Sequence, residues 1–205
     1  MKLTINRAIR ESRTRLSIGI DASLTGTAIA IINCASGKLV HIETIKSKQW
    51  KTSRLLEIRD AVIKAIAPRV PFIAQVFYEG YAYGFGSKSK DGFGRQSSSI
   101  TGLAELRGVL TTMLTEEFHT PIFFVAPPTL KKFITGKGVG EKNMVILHAY
   151  KKWKREFADD NECDAFGLAK LGQAFNDPKL ATQEYERQCL DTVKESDQSI
   201  DDNGN

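Results

Sequence analysis

Three short apolar segments follow one another near the start of the chain, with only tight turns between them. They cover residues 16–21, 27–32 and 38–45, and the first and third alternate apolar with polar residues. Alternation with a period of two is typical of β-strands, and turns this short join antiparallel neighbours. The pattern therefore predicts a three-stranded antiparallel meander.

Helical and strand patterns alternate after this meander. Helices are predicted at 53–67, 100–118, 141–155 and 160–175, strands at 72–78 and 121–126, and long loops at 80–99 and 126–142. A meander followed by parallel strands with crossover connections gives a mixed sheet. We therefore predict an α/β protein with a ribonuclease-H-like mixed five-stranded sheet, an antiparallel meander plus parallel strands, flanked by helices.

The length of 205 residues fits one domain of ordinary size. We expect a basic N-terminal arm at 1–15, the folded domain at 16–176, and an acidic, disordered tail at 177–205. The three widely spaced cysteines suit neither a disulfide framework nor a zinc site, which indicates a reducing compartment. Apolar runs are too short for a membrane span, and no secretory signal is visible.

Charge is distributed unevenly along the chain. Residues 181–205 contain seven acidic and two basic residues, a net of −5, and the whole chain is +5, so residues 1–180 carry +10. A basic body attracts phosphates, which makes nucleic acid a candidate partner. From charge alone, the same charge distribution is explained equally well by a surface that only keeps the protein soluble.

Four acidic residues occupy positions that suit a metal site. Asp21 ends the first predicted strand, Glu79 ends the fourth, and Asp160 and Asp164 share one face at the start of the last helix. Carboxylates brought together repel one another unless cations enter, and Mg²⁺ prefers oxygen ligands. The alternatives are that Asp21 caps a turn and that the acids near 160 are favourable charges at a helix N-terminus.

The second long loop, residues 126–142, combines glycine with lysine. Glycines at 136, 138 and 140 let backbone approach a phosphate closely, and Lys131, Lys132, Lys137 and Lys142 supply positive charge. The order of residues is not that of a nucleotide P-loop. A solvated basic turn is the alternative interpretation.

Taken together, these segments resemble the RuvC family of Holliday-junction resolvases over roughly residues 16–175. The matching pieces are Ile-Gly-Ile-Asp-Ala-Ser-Leu-Thr-Gly-Thr-Ala (18–28), Tyr-Glu-Gly (78–80), Gly-Leu-Ala-Glu-Leu-Arg-Gly (102–108), the loop at 126–142 and Asp-Asn-Glu-Cys-Asp-Ala (160–165). The resemblance implies a homodimeric, Mg²⁺-dependent endonuclease with two metal ions, for which Mn²⁺ can substitute. It also implies a protein of bacterial or phage-infected host cytoplasm.

The resemblance assigns roles to individual residues. Asp21, Glu79 and Asp164 match the metal-binding acids of the family; the fourth acid usually precedes the last by three residues, where this chain has Asn161, so Asp160 is the better candidate. The catalytic set is then Asp21, Glu79, Asp160, Asp164 and Lys142. The DNA-binding set is Lys131, Lys132, Lys137, Lys142, Arg107, Tyr81 and Tyr83.

The departures from the family pattern concern the loop after Glu79. Bacterial members have an aromatic residue three positions after that acid, where this chain has Ala82 between Tyr81 and Tyr83. The loop is also longer than in bacterial members. These differences suggest a phage-type or divergent member of the family.

We therefore expect an endonuclease that resolves four-way DNA junctions by paired nicks. The alternatives are a broader nuclease acting on flaps, forks and Y-shaped DNA, and a junction-binding protein without catalysis. Paired nicks favour a homodimer, and the helix at 100–118 has an apolar stripe that could form the interface, namely Leu103, Leu106, Leu110 and Leu114, widened by Val109, Met113 and Phe118. The same stripe could instead pack on the protein's own sheet.

Overall fold

The computed structural model describes residues 15–80, 98–138 and 141–202. These residues form five strands, β1 Leu16–Asp21, β2 Thr27–Asn33, β3 Leu39–Ile45, β4 Ile73–Glu79 and β5 Ile122–Val125. They form six α-helices, α1 Lys51–Ile66, α2 Ser98–Phe118, α3 Pro127–Thr135, α4 Lys142–Trp153, α5 Asp160–Asn176 and α6 Glu184–Asp202. Short 3-10 helices at Ala67–Phe72 and Pro178–Leu180 complete the described secondary structure.

The five strands form one mixed sheet in the order β3-β2-β1-β4-β5. The pairs β1–β2 and β2–β3 are antiparallel, whereas β1–β4 and β4–β5 are parallel. The predicted ribonuclease-H-like arrangement is confirmed. Because β1 and β4 are parallel neighbours, the carboxyl ends of both strands lie at the same edge of the sheet.

Helices cover both faces of the sheet. On one face α1 and α2 pack against β1 and β4, with Ile58 and Leu106 in the same core as Ile18 and Ile20. On the other face α5 crosses β1 and β2. All six residues of β1 are consequently buried, as expected of a strand with helices on both sides.

The sequence interpretation of residues 126–142 as one long loop is wrong in its first half. Helix α3 begins at Pro127, and Leu130, Phe133 and Ile134 are buried against the core. Proline is well tolerated in the first turn of a helix, because the N–H that it lacks would have no partner inside the helix. The two prolines therefore begin a helix here, and the loop is confined to residues after Thr135.

The acidic C-terminal segment also differs from the expectation of disorder. Helix α6 packs on α3 and β5, and its residues Cys189, Leu190 and Val193 are buried. Glu186 on this helix is buried and forms an ion pair with Lys152, at 2.7 Å between oxygen and nitrogen. The apolar side chains at 189, 190 and 193 lie on one helical face. This helical spacing is hard to recognise in the sequence because most of the surrounding residues are charged or polar.

The apolar stripe of α2 packs on the protein's own sheet. Leu106, Leu110, Met113 and Leu114 are buried in the core between α1, α2 and the sheet, and Val109 and Phe118 pack against that core. These side chains therefore do not form a separate apolar surface on the outer side of the helix. No helix among the described residues is long and apolar enough to cross a membrane.

Candidate active site

The two strand-end acids lie side by side at the edge of the sheet. Ile20 of β1 is paired with Tyr78 of β4 in parallel register, so Asp21 and Glu79 are the next residues of the two strands. Asp21 is only 6% exposed. The neighbouring Glu79 carboxylate adds to the effect of burial and helps to raise the pKa of the Asp21 carboxyl group.

The other two acids come from the first turns of α5. Asp159 caps this helix, because its carboxylate accepts a hydrogen bond of 2.9 Å from the backbone N–H of Glu162. Asp160 is the first helical residue, and Asp164 follows one turn later on the same face. The cap and the helical period together direct both side chains towards the end of β1.

Close contact between α5 and β1 determines how near the two pairs of acids can come. A Cβ atom at Gly19 would lie 2.0 Å from the carbonyl oxygen of Ala165 and 2.5 Å from the backbone nitrogen of Ala169. No side chain larger than hydrogen fits at that point. Glycine at position 19 therefore allows the helix backbone to rest directly on the strand, two residues before Asp21.

The four acids line one cavity of about 330 Å³. Lys131 from α3 and Lys142 from α4 line it as well. The remaining lining residues are Ala22, Ser23, Pro127, Val145, Ile146, Asn161 and Cys163. Six of the charged residues singled out in the sequence thus meet in one place, although they are spread over more than 140 positions of the chain.

Burial and mutual repulsion raise the pKa values of the inner acids. Burial, the negative charge of Glu79 and that of Asp164 and Asp160 raise the pKa of Asp21 to about 9. Burial, Glu79 and Asp160 raise the pKa of Asp164 to about 7, against the opposite effect of Lys131 and Lys142. Burial also raises the pKa of Glu79. At neutral pH Asp21 therefore retains its proton unless a cation compensates the charge of the cluster.

Asp160 differs from the other three acids because it has a lysine partner. Its carboxylate is bonded to the ammonium group of Lys142, and this contact lowers the pKa of Asp160 and raises that of Lys142. The Lys142 side chain is 77% exposed and that of Asp160 is 32% exposed. The pair is therefore a solvent-screened contact at the mouth of the cavity, easily exchanged for other ligands.

The donor set suits a hard divalent cation. Four carboxylates supply only oxygen ligands, which Mg²⁺ and Mn²⁺ accept, and a cation would remove the repulsion that raises the pKa values of Asp21 and Asp164. In residues 15–80, 98–138 and 141–202, no three His, Cys, Asp or Glu side chains lie close enough together to hold one ion. Cation binding would therefore require these carboxylates to move closer together and Asp21 to lose its proton.

The other predicted DNA-binding residues lie apart from the cavity lining. The Lys132 ammonium donates a hydrogen bond of 2.8 Å to the Gln188 side chain on α6, and Lys137 is exposed beyond α3. The Arg107 guanidinium carbon lies 4.0 Å from the centroid of the Phe124 ring. Tyr81 and Tyr83 fall outside the described residues.

Sequence reasoning did not single out Ser23 or Val145 and Ile146 as site residues. Ser23 belongs to the turn after Asp21, where its backbone N–H and carbonyl both bond to the Thr27 hydroxyl, at 3.2 and 2.7 Å. This turn forms one wall of the cavity. The position of this turn directly after the strand-end acid Asp21 is the sequence feature that could have identified Ser23 as a site residue.

Solved structures with the same architecture are known, although no protein-family model and no curated protein matches the sequence. Thermus thermophilus RuvC in complex with a Holliday junction substrate superposes with a TM-score of 0.60 at 18% identity, over 79% of this chain and 95% of that one. A second Thermus thermophilus RuvC structure gives a TM-score of 0.60 at 20% identity, over 78% and 95%. The resemblance to RuvC expected from the sequence motifs is thus confirmed at the level of the fold, and this chain has the ribonuclease-H-like fold of RuvC.

Proposed function

We propose that this protein is a divalent-metal-dependent endonuclease that resolves four-way DNA junctions by paired nicks. The observation that carries the proposal is the convergence of Asp21, Glu79, Asp160 and Asp164 with two lysines on one cavity. Burying like charges together destabilises a fold, so a cluster of this kind indicates a functional site. Acids that bind cations beside lysines that bind phosphates are a combination suited to metal-assisted phosphodiester hydrolysis.

The fold supports a branched-DNA substrate. One of the RuvC structures that this chain resembles holds a Holliday junction, and the resemblance extends over 95% of that protein. The positive charge of the first 180 residues, +10, is of the sign that a DNA partner needs. These two points favour branched DNA over a small phosphorylated substrate.

In the proposed mechanism the acids and lysines have separate tasks. Asp21, Glu79, Asp160 and Asp164 would hold two Mg²⁺ ions, or Mn²⁺ in their place, which supply an activated water and stabilise the departing 3′ oxygen of an in-line displacement. Lys131 fixes the scissile phosphate at the cavity wall. Lys142, released from Asp160, offsets the negative charge that grows on that phosphate. The products are 5′-phosphate and 3′-hydroxyl ends.

We also propose that the active form is a homodimer. A four-way junction presents two equivalent opposed strands, and each chain offers one acidic cavity, so paired nicks call for two sites related by a two-fold axis. The apolar side of α2 is used within the chain. The outer side of α2, which exposes Ala104, Gly108, Thr112 and Thr115, is the surface that we assign to the dimer.

The decisive experiment measures cleavage of four-way, Y-shaped, flap and linear duplex DNA in Mg²⁺. Asp164→Asn should abolish cleavage of the junction while junction binding in EDTA is retained, because the variant loses a cation ligand but keeps the lysines. Asp159→Asn is the matched control, since asparagine caps a helix as well as aspartate does and residue 159 does not line the cavity. It should cleave like wild type.

Two further results bear on the assignment. Asp160→Ala should impair cleavage more than Asn161→Ala; the reverse order would make Asn161 the fourth site residue. Substantial cleavage by Asp164→Asn would refute the proposed site. Cleavage of flaps and Y-shaped DNA in preference to the four-way junction would replace junction resolution with general branch cleavage.

A further inference from the structure

Trp50 is the most exposed of the large apolar side chains in the described residues, at 78% of its full accessible surface. It occupies the N-cap position of α1 and makes no side-chain capping hydrogen bond. Ser, Thr, Asp and Asn are the residues that stabilise this position. Neither core packing nor helix capping therefore explains a tryptophan there.

The backbone and the neighbouring arginine hold the indole in place. Arg54 donates a hydrogen bond of 2.8 Å from its Nε to the carbonyl oxygen of Gln49, and its guanidinium carbon lies 5.4 Å from the centroid of the Trp50 ring. Lys51 adopts a left-handed backbone conformation with φ of 48°, which is strained for a residue with a side chain. Arg54 covers one face of the indole, and the high exposure leaves the other face open.

The segment around Trp50 is strongly basic. Residues 46–54 contain Lys46, Lys48, Lys51 and Arg54 and no acidic residue. The first turn of α1 is likewise without an acid. An exposed aromatic ring among cations is the arrangement with which proteins bind single-stranded nucleic acid, because bases stack on the ring and the cations attract the backbone phosphates.

A large cavity lies beside this segment and borders the turn that lines the proposed active site. Its volume is about 940 Å³, and Trp50, Lys51 and Arg54 line one side of it. Ala22 and Ser23 line both this cavity and the acidic cavity, so the turn after Asp21 separates the two. The start of α2 closes the far side, where Glu105 is the acidic residue of the lining. A strand that left the acidic cavity over this turn would enter the cavity that Trp50 lines.

We propose that Trp50, Lys51 and Arg54 form a nucleotide-binding subsite, in which the base of an unpaired nucleotide of branched DNA stacks on the open face of the Trp50 indole. Lys51 and Arg54 contact the phosphates on either side of that base. This inference rests on the proposed function, since it takes branched DNA as the ligand. The subsite discriminates branched DNA from linear duplex, because base pairs at a branch point open more easily and free a base to stack, whereas the bases within a linear duplex stay paired.

Intrinsic fluorescence provides a direct test, because the chain has two tryptophans, Trp50 and Trp153. In Trp153→Phe the emission comes from Trp50 alone, and in Trp50→Phe from Trp153 alone. We expect a four-way junction and a single-stranded oligothymidine, added in EDTA, to quench the emission of the first variant and leave that of the second unchanged. Unchanged Trp50 emission at saturating junction would overturn the proposal.

Affinity measurements complete the test. Trp50→Ala should weaken junction binding in EDTA by about five- to a hundredfold, the loss typical of one base stacked on an aromatic residue, while Trp50→Phe loses less. Binding to blunt linear duplex should not change. Phe72→Ala is the matched control, because Phe72 is also an exposed aromatic, at 41%, and lines neither cavity. It should bind like wild type.

The outcomes separate this inference from the proposed function. If wild type binds the junction and Trp50→Ala binds it equally well, the subsite is wrong and the endonuclease proposal stands. If wild type binds no branched DNA, both fail. Because Trp50 is exposed, its replacement should leave the thermal unfolding midpoint unchanged, and a lowered midpoint with weakened binding would assign the residue a structural role instead.

Discussion

Asp21 shows at the scale of one residue how function and stability conflict in this chain. Its carboxyl group is buried beside three other acids, and its pKa is raised to about 9. A carboxyl group whose pKa is higher in the folded than in the unfolded protein stabilises the fold only while it stays protonated. Without a cation, the contribution of Asp21 to stability is therefore full below the unfolded pKa of about 4 and is lost as the pH rises towards 9.

Asp21→Asn should stabilise the metal-free protein at neutral and alkaline pH. Asparagine has the same shape and stays neutral at every pH without having to hold a proton. Thermal unfolding in EDTA at about pH 5 and about pH 8 should show a fall of the midpoint for wild type and a much smaller fall for the variant, with a gain at the higher pH of several degrees, roughly 2–4 °C per kcal/mol. A variant less stable than wild type at both pH values would show that Asp21 supports the fold.

The members of the acidic cluster could be predicted from the sequence better than their partners. Strand ends and helix starts can be recognised from local patterns, and the resemblance to the RuvC motifs then favoured Asp21, Glu79, Asp160 and Asp164 as site residues over their capping roles. The contact of Lys142 with Asp160 and the stacking of Arg107 on Phe124 depend on residues that are distant in sequence. No local pattern encodes such contacts.

At the scale of elements, the junction between β1 and α5 determines the geometry of the site. Gly19 allows the helix backbone to touch the strand, and further along the same contact a Cβ at Gly172 would lie 2.2 Å from the Ser17 hydroxyl. Two glycines, one in each element, thus let α5 lie flat on β1. The distance between Asp21 and the acids of α5 follows from this contact.

Gly19→Ala should both destabilise the protein and impair cleavage. The added methyl group would meet backbone atoms of Ala165 and Ala169 that cannot move without shifting α5. We expect a loss of about 3 kcal/mol in the free energy of unfolding, measured by urea denaturation, and a lower cleavage rate at temperatures where the variant is folded. Gly108→Ala is the control, because no described atom lies within 4 Å of a Cβ built there. An unaffected Gly19→Ala would mean that the helix can move away without harm.

The elements missed in the sequence have a physical explanation. At the start of α3 the two adjacent prolines favour a loop by sequence pattern alone, whereas proline is also favourable in the first helical turn and Leu130, Phe133 and Ile134 supply the buried face. In α6 the charged residues outnumber the few apolar ones that pack on α3. The five strands were predicted because alternation and short turns are local signals.

At the scale of the whole molecule, charge is arranged in two parts. The body that carries the acidic cavity is basic, while α6 contributes acids and packs on α3 close to Lys132. The pairing of Lys132 with Gln188 and of Lys152 with Glu186 ties the C-terminal helix to the domain. The first turns of the acidic segment therefore belong to the folded domain, where they contact lysines of α3 and α4.

The proposed paired incision depends on the proposed dimer, which is a property of the whole molecule. The exposed side of α2 has small residues at 104, 108 and 112, which would let the same helix of a second chain approach closely. Gly108→Glu should leave the single chain folded, because space is open at that position, and should place two carboxylates against each other in the dimer. Sedimentation at micromolar concentration should give wild type near twice 22.8 kDa and the variant near 22.8 kDa.

The variant should nick one strand per encounter with a junction, whereas Gly108→Ala should still nick both. A Gly108→Glu protein that remains dimeric would place the interface elsewhere, and a wild-type chain that stays monomeric on junction DNA would refute paired incision.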